Sequence, residues 1–187
     1  KNYGTLAFSG IARSAFIATS VLRDLQKNSI ITQKELSLFY ENINTITNEL
    51  NTDLYRLKVK KINKTLFLKK YGHLRPSTYL ITSKSYKDGF DHYFSLKKIK
   101  KKGNNKRKKI FTKASIQKIN KLFANKKLGF NFKDFYQFAS ESIKQREYAK
   151  YVFTKGINEI FNNLKILGNK MKIDLNDLEH ISIKTIL

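Results

Sequence analysis

Apolar residues recur at intervals of three and four along most of this chain, which is the spacing of one face of an α-helix. Three such stripes predict helices from about Thr5 to Asn28, from Thr32 to about Asn51 and from about Asp53 to Lys70. Alternation typical of strands is scarce. The pattern therefore predicts a mostly α fold, an irregular helical bundle with a central non-helical loop and a mobile basic loop.

The second half of the chain continues the helical spacing. One helix begins at Thr112 or Ser115, either of which can cap it, and ends near Gly129. The next stripe extends from about Phe132 to Lys170, as two helices or as one bent helix.

Local signals refine these helices. Glu35 follows Thr32 at the spacing of a capping box, which places a helix start at Thr32. Gly156 is unfavourable in a helix interior and predicts a bend or a close contact. Asp174 is suited to cap a last short helix, 175–179.

The central loop is the stretch YGHLRPSTY, from Tyr71 to Tyr79, which contains the only proline of the chain, Pro76. Proline fixes φ and disfavours a helical conformation at Arg75, so we expect a non-helical connection of rigid geometry. Polar groups on such a loop are often binding groups. The alternative is a plain connection between helices with a solvated arginine.

The 187 residues correspond to one domain, and the lack of an initial Met together with the apolar ending suggests an excised middle segment of a longer protein. Cysteine is absent, which excludes disulfides and thiolate sites. We expect every apolar run to be shorter than the roughly 18 to 20 residues that a membrane helix needs, which predicts a soluble protein without a membrane partner. The lack of cysteine is compatible with a reducing setting, and we expect a cytoplasmic protein.

The formal net charge is +24, from 38 Lys and Arg against 14 Asp and Glu, so anionic partners are expected. Nine basic residues lie in the run Lys97–Lys109, which no aromatic residue interrupts. We interpret this run as an exposed linker between helical blocks. The expected organisation is a first helical block (1–70), a motif loop (71–96), the basic linker (97–109) and a second helical block (110–187).

The usual phosphate, zinc and serine-hydrolase motifs are absent, and His73, His92 and His180 are too scattered to propose a metal site. No catalytic residue is therefore assigned. The groups suited to hold an anion or a polar molecule are Arg13, His73, Arg75, Thr78, Tyr79, Arg146 and Lys150, with Glu147 beside them. Snorkelling of Arg13 at a core rim and an ion-pair ladder around Arg146 are the alternatives.

Three stretches resemble one protein family. YGHLRPSTYLITSKSY resembles the YGHLRPGTYDI-type motif, and REYAKYVFTKGINEIF resembles the REyaKfvFTk motif, of the phosphoenolpyruvate synthase and pyruvate phosphate dikinase superfamily. LAFSGIARSAFIATSVLRDL is similar to the segment that precedes them in that family. Ser77 replaces the usual glycine and Leu80 stands where an acid is common, so a carboxylate role in the loop does not carry over.

The resemblance implies the middle, helical and acceptor-binding part of an ATP-dependent phosphotransferase. ATP and Mg²⁺ would be bound mainly by a nucleotide-binding domain outside this chain, and a phosphohistidine domain would complete the enzyme. The loop residues His73, Arg75, Thr78 and Tyr79 would line the acceptor site, with Arg146, Glu147 and Lys150 opposite and Arg13 assisting. Members that phosphorylate L-glutamine for capsule polysaccharide modification are similar here, which makes L-glutamine one candidate acceptor. This segment alone would be inactive.

Two other functions are compatible with the sequence. A basic helical module could bind nucleic acid through Lys97–Lys109, with affinity that falls steeply as salt rises. The chain could also be a structural connector in which the polar groups form ion pairs. The basic run lacks aromatic residues that could stack on bases, and the resemblance favours a small-molecule acceptor, so nucleic acid is not the expected partner.

Overall fold

The computed structural model describes residues 4–100 and 109–182. Within this part of the chain no strand occurs, and the predicted mostly α class is confirmed. The described residues form eight α-helices in the order α1 (Gly4–Lys27), α2 (Gln33–Asn42), α3 (Ile46–Lys58), α4 (Lys64–Tyr71), α5 (Phe90–Tyr93), α6 (Lys113–Asn125), α7 (Phe132–Met171) and α8 (Leu175–His180). A short 3₁₀ helix, Leu96–Lys98, contains the first two residues of the basic run.

The second and third predicted helices are divided differently in the structure. The helix expected to reach Asn51 ends at Asn42, because Thr45 begins a new one by accepting a hydrogen bond from the Asn48 amide at 3.3 Å. The helix expected from Asp53 to Lys70 is two helices, α3 and α4. Asn63 caps α4 through a 2.8 Å hydrogen bond from the Leu66 amide. Both predicted spans were wrong because they passed over these caps.

The other caps are as the sequence predicts. Thr32 and Glu35 form the capping box of α2, with the Thr32 amide 2.8 Å from a Glu35 carboxylate oxygen. Thr112, rather than Ser115, caps α6. Asp174 caps α8. These short side chains satisfy amide groups that the first helical turn leaves without partners.

The long stripe in the second half forms one helix of 40 residues, α7, and not two. Its two glycines differ. Apart from its chain neighbours and the backbone of its own helix, no heavy atom of the described residues lies within 4 Å of the place a Cβ on Gly156 would occupy. Of the bend or close contact expected there, the contact is therefore absent. A Cβ on Gly168 would instead collide with the side chain of Leu178 in α8.

The described residues divide into two compact units: unit 1 comprises residues 4–49 and 109–150, and unit 2 comprises residues 50–100 and 151–182. The core of unit 1 brings together buried residues of α1, α2, α6 and α7, including Leu22, Phe39, Ile119, Phe123 and Phe135. Unit 2 has its own aromatic core. Its members are Phe67, Tyr71, Tyr86, Phe90, Tyr93 and Phe94.

Helix α1 is 24 residues long and, by length and composition, apolar enough to cross a membrane. The expectation that no run approaches this length was therefore wrong. A single helix of this kind is weak evidence for a membrane, because core helices of soluble proteins and N-terminal signal sequences pass the same test. Leu6, Phe16 and Ile17 are exposed on α1. Its buried residues are Ala15, Ala18, Leu22 and Leu25.

Most of the basic run lies outside the described residues, so its interpretation as a mobile linker stays a prediction. Its first residues are described: the ammonium of Lys58 donates to the carbonyl oxygens of Lys97 at 3.2 Å and of Ile99 at 2.7 Å. These two contacts, both within unit 2, hold the start of the run against the end of α3.

Candidate functional site

The central loop occupies residues 72–89 between α4 and α5 and is neither helix nor strand, as the proline and its neighbours predict. Two backbone hydrogen bonds fasten its second half to its first. The Tyr86 amide donates to the Leu74 carbonyl at 2.7 Å, and the Lys87 amide donates to the Gly72 carbonyl at 3.0 Å. These two bonds close the loop on itself.

Gly72 is required at the point where α4 ends and the loop begins. Its amide donates to the Leu68 carbonyl at 2.7 Å, and a Cβ at this position would collide with the same carbonyl oxygen. Any larger residue would have to move the end of the helix. The motif glycine thus positions the residue that follows it, His73.

Arg75 lies beneath the loop and is only 7% exposed. Its guanidinium donates to the Ser83 carbonyl at 3.1 Å, donates to Oδ1 of Asn158 and packs over the ring of Phe161 at 4.9 Å. A rigid fork of donors suits this arrangement, since one group reaches both the loop and α7. Arg75 therefore fastens the loop to the helix within unit 2.

Burial lowers the pKa of the Arg75 guanidinium from its ordinary value, while the negative charge of Asp88 and the phenol of Tyr93 favour the charged form. Arginine stays protonated in proteins in spite of such shifts. The loop therefore keeps a buried positive charge behind its surface.

His73 contacts α7 directly. Its Nε2 lies 3.1 Å from the carbonyl oxygen of Tyr151, and the two rings meet edge to face with centroids 4.8 Å apart. Burial lowers the pKa of His73 below its ordinary value of 6.5; the hydrogen bond to Tyr151 opposes that shift and the ammonium of Lys155 adds to it. His73 is therefore neutral at physiological pH.

Tyr151 supports this corner of unit 2 from the helix side. Its hydroxyl donates to the carbonyl oxygen of Lys70 at 2.7 Å, immediately before the loop. The ammonium of Lys155 lies over its ring, 4.8 Å from the centroid. One aromatic residue of α7 thus holds the end of α4, the histidine and a lysine in place.

Between the loop and α7 lies a cleft of about 500 Å³ in unit 2, which we call the His73 cleft. Its lining residues are Leu68, Lys69, Gly72, His73, Ser85, Lys87, Asp88, Lys155, Asn158, Glu159 and Asn162. A second concavity, of about 580 Å³, lies in unit 1 around Gly129, but no histidine or arginine lines it.

The His73 cleft carries charges of both signs. Lys69, Lys87 and Lys155 supply ammonium groups, and Asp88 and Glu159 supply carboxylates. The Ser85 hydroxyl donates to Asp88 at 2.7 Å, which orients that carboxylate. Asn158 and Asn162 add amides. This combination suits a small polar molecule with both an anionic and a cationic or hydrogen-bonding part.

Of the loop residues expected to bind a substrate, the structure brings His73 into the cleft and places Arg75 behind it. Thr78 and Tyr79 are not among the lining residues, and Tyr79 is 69% exposed. Arg75 donates a hydrogen bond to Asn158, and Asn158 lines the cleft. Arg75 therefore affects the cleft indirectly, by orienting the side chain of Asn158.

The remaining expected site residues belong to unit 1. Arg146 lies 3.8 Å from the carboxylate of Glu147 and packs over the ring of Phe16 at 5.0 Å. Arg13 and Lys150 are exposed. Arg146 and Glu147 therefore form the local ion pair that the sequence offered as the alternative, and a shared site with the loop stays a prediction.

Sequence reasoning missed the contribution of α7 to the cleft. Lys155, Asn158, Glu159 and Asn162 are spaced by three, four and seven residues, so they share one face of a helix. A polar stripe of this width on a helix that also carries an apolar stripe was the available signal. The loop residues Ser85 and Asp88 had no comparable periodicity.

No family model, curated protein or solved structure matches this chain. Within residues 4–100 and 109–182, no group of three or more His, Cys, Asp or Glu side chains is arranged to hold a metal ion. Fold and site together define a helical protein with a polar cleft formed by an irregular loop and one long helix.

Proposed function

We propose that this chain binds the acceptor substrate of an ATP-dependent phosphotransferase that works through a phosphohistidine on another domain. One observation carries the proposal: two separate stretches that resemble the phosphoenolpyruvate synthase family meet in the His73 cleft. YGHLRPSTY contributes His73, and the FTKGINE segment contributes Lys155, Asn158 and Glu159. Residues about 80 positions apart converge on one concave surface.

The chemistry of the cleft fits an acceptor. Phosphoryl transfer accumulates negative charge on the transferred group and on its surroundings, and fixed donors stabilise that charge. Lys87 and Lys155 supply positive charge, and Asn158 supplies amide hydrogens. Asp88 and Glu159 suit an ammonium group on the acceptor. An amino acid such as L-glutamine presents a carboxylate, an ammonium group and an amide, and is one candidate.

The other parts of the reaction belong outside this chain. ATP and Mg²⁺ would be handled by a nucleotide-binding domain of a longer protein, and a mobile domain would bring the phosphohistidine. The role of the residues described here is to bind the acceptor, to orient it and to exclude water from the reacting groups.

The proposal is tested with the full-length protein that carries this chain, incubated with Mg-ATP and a panel of acceptors that includes L-glutamine, pyruvate and sugars. Phosphorus NMR identifies the products. We expect acceptor-dependent formation of a phosphorylated product together with AMP and phosphate. If none of the acceptors stimulates the consumption of ATP, the proposal is contradicted.

Two variants of α7 connect the activity to the cleft. Asn158→Ala removes a lining amide, and we expect the KM for the acceptor to rise at least tenfold while the phosphohistidine still forms from ATP. Asn163→Ala is the matched control, because Asn163 is exposed on the same helix and does not line the cleft. Equal kinetics for the two variants would place the acceptor elsewhere.

A nucleic-acid module remains the competing function because of the net charge of +24. It makes an opposite prediction: RNA binding that weakens steeply between low and physiological salt, since phosphate contacts release counterions. Tight, salt-sensitive RNA binding by a protein without acceptor-dependent turnover would favour that function.

A further inference from the structure

One nitrogen of the His73 imidazole has its protonation state set by a backbone group. Nε2 lies 3.1 Å from the carbonyl oxygen of Tyr151. A carbonyl oxygen only accepts hydrogen bonds, so Nε2 must carry the hydrogen. In the neutral ring the other nitrogen, Nδ1, then holds a free lone pair. The helix α7 thus selects the tautomer in which Nδ1 is a base.

The second ring nitrogen, Nδ1, is exposed to solvent in a residue that lines the cleft. Within the described residues, no buried side-chain nitrogen or oxygen lacks a hydrogen-bond partner. Among the described residues, the one hydrogen bond of His73 uses Nε2. Nδ1 is therefore accessible to solvent, although the residue as a whole is half-buried, and His73 lines the cleft.

We propose that Nδ1 of His73 is the general base of the His73 cleft, which takes a proton from the N–H or O–H group of the bound acceptor. The inference rests on the proposed function and adds a catalytic residue to it. The acceptor must then present a hydrogen on the atom that becomes phosphorylated.

The acceptor atom forms a bond to phosphorus and loses its hydrogen as a proton to Nδ1. The bond between phosphorus and the donor imidazole breaks, and its electron pair stays on that imidazole. His73 becomes an imidazolium that still donates through Nε2 to Tyr151. Release of this proton to water restores the starting state.

The charges around the cleft suit both states of the ring. Lys155 and Glu159 line it from α7, Lys69 from α4, and Lys87 and Asp88 from the loop. Burial and the ammonium group of Lys155 favour a neutral resting imidazole by lowering the pKa of His73. The two carboxylates are the groups available to stabilise the imidazolium once the proton has moved.

The decisive variant is His73→Gln in the full-length protein. Glutamine keeps an amide donor for the Tyr151 carbonyl but has no basic lone pair, so the loop anchor stays while the base is lost. General base catalysis contributes on the order of 100-fold or more. We expect kcat with the acceptor to fall by at least that factor, with KM within threefold of the original value.

A pH profile separates catalysis from positioning. The unaltered enzyme should lose acceptor turnover as the pH falls and His73 becomes protonated, and this acid limb should be missing in the residual activity of His73→Gln. His92→Gln is the matched control, because His92 is exposed on α5 and does not line the cleft. It should keep the full rate and the acid limb.

Failure of the inference and failure of the proposed function give different results. An active enzyme whose His73→Gln variant retains the rate and the acid limb overturns the base and leaves acceptor binding intact. An unaltered enzyme without acceptor turnover overturns both. Nitrogen NMR of the histidine rings adds a readout independent of activity: a resting His73 protonated on Nδ1 instead of Nε2 would also overturn the base.

Discussion

The guanidinium of Arg75 donates a hydrogen bond to Oδ1 of Asn158, a residue 83 positions later in the chain. Because a guanidinium has no acceptor, this contact determines the orientation of the amide: Oδ1 faces Arg75, and Nδ2 is left for other partners. Since Asn158 lines the His73 cleft, a buried arginine that is not itself a lining residue sets which hydrogen-bonding group the cleft receives from α7.

Arg75→Ala is expected to destabilise unit 2 and to abolish acceptor turnover. The substitution leaves the Ser83 carbonyl and Oδ1 of Asn158 without their buried donor, which costs about 2–4 kcal/mol of unfolding free energy. Urea denaturation followed by circular dichroism measures the loss. Under the proposed function, phosphorylation of a histidine on another domain by ATP should persist, because Arg75 would affect only the acceptor side of the reaction.

Two further arginine variants sharpen this prediction. Arg75→Lys keeps the charge but not the planar fork that reaches two acceptors, so it should recover less than half of the lost stability. Arg23→Ala removes an exposed arginine of α1 and should change the unfolding free energy by less than about 0.5 kcal/mol. Normal acceptor turnover in Arg75→Ala would count strongly against the positioning role.

Glu35 provides a prediction on pH dependence in unit 1. It is 4% exposed, and its carboxylate accepts hydrogen bonds from the backbone amides of Thr32 and Thr112, each at 2.8 Å. Burial by itself raises the pKa of Glu35, but the hydrogen bonds from Thr32, Thr112 and Ser115 outweigh it, so the pKa lies below its ordinary value of 4.5. The ionised form therefore stabilises the folded protein.

The sign of the effect follows from this lowered pKa. The stabilisation is fully present above pH 4.5, the ordinary value, and is lost as the pH falls through the lower pKa of the folded state. Glu35→Gln should cost about 1–2 kcal/mol at pH 7, and the difference should shrink below pH 4.5. Glu41→Gln, an exposed glutamate of the same helix, should be neutral at pH 7. An equal loss in both variants would refute the role of the buried carboxylate.

The helical fold could be predicted from the sequence because the signals that determine helices are local. Periodic apolar residues and the caps Thr32, Thr112 and Asp174 act within one or two turns, so the sequence shows them directly. The division of the third helix was not predicted, because the cap Asn63 lies in a stretch of lysines and apolar residues that by itself resembles one continuous helix. The length of α7 was ambiguous, since a single glycine does not by itself end a helix.

Only the loop half of the candidate site could be predicted from the sequence. Pro76 and its polar neighbours predict the loop. The roles of His73 and Arg75, however, depend on residues about 80 positions away. Nothing near Arg75 in sequence shows that Asn158 will bury its charge beneath the loop. Likewise the tautomer of His73 is set by the backbone carbonyl group of Tyr151. Every residue type has such a carbonyl group, so the sequence does not indicate this contact.

Tyr71, the first residue of the motif, is expected to be structural. It is fully buried, and its hydroxyl donates to Asp53 at 2.9 Å while Lys70 contacts the same oxygen at 3.1 Å. Tyr71→Phe removes a buried hydrogen bond to a charged acceptor and should cost about 1–3 kcal/mol in urea denaturation. The KM for the acceptor should stay within threefold. A change in KM without a loss of stability would assign Tyr71 to binding instead.

Tyr55→Phe is the control for that variant. Tyr55 lies on α3, close in sequence to Asp53, and within the described residues its hydroxyl makes no hydrogen bond. The substitution should therefore leave the unfolding free energy within about 0.5 kcal/mol of the original.

The two glycines of α7 should respond to alanine in opposite directions. Gly156 lies in the helix interior with open space where a Cβ would be placed, so Gly156→Ala gains helix propensity without a clash. We expect an increase of about 0.5–1 kcal/mol in the unfolding free energy. Gly168→Ala gains the same propensity, but its new methyl group collides with Leu178.

The clash at Gly168 involves the end of a leucine side chain, which has to move and lose part of its packing on α7. We expect the packing loss to exceed the gain in propensity, which gives a net destabilisation of about 1–2 kcal/mol. The double variant Gly168→Ala with Leu178→Ala removes the collision, so the added alanine should then be neutral or stabilising relative to Leu178→Ala alone. Urea denaturation of the four proteins completes the cycle, and a stabilising Gly168→Ala in the unaltered background would show that α8 does not pack on α7 as described.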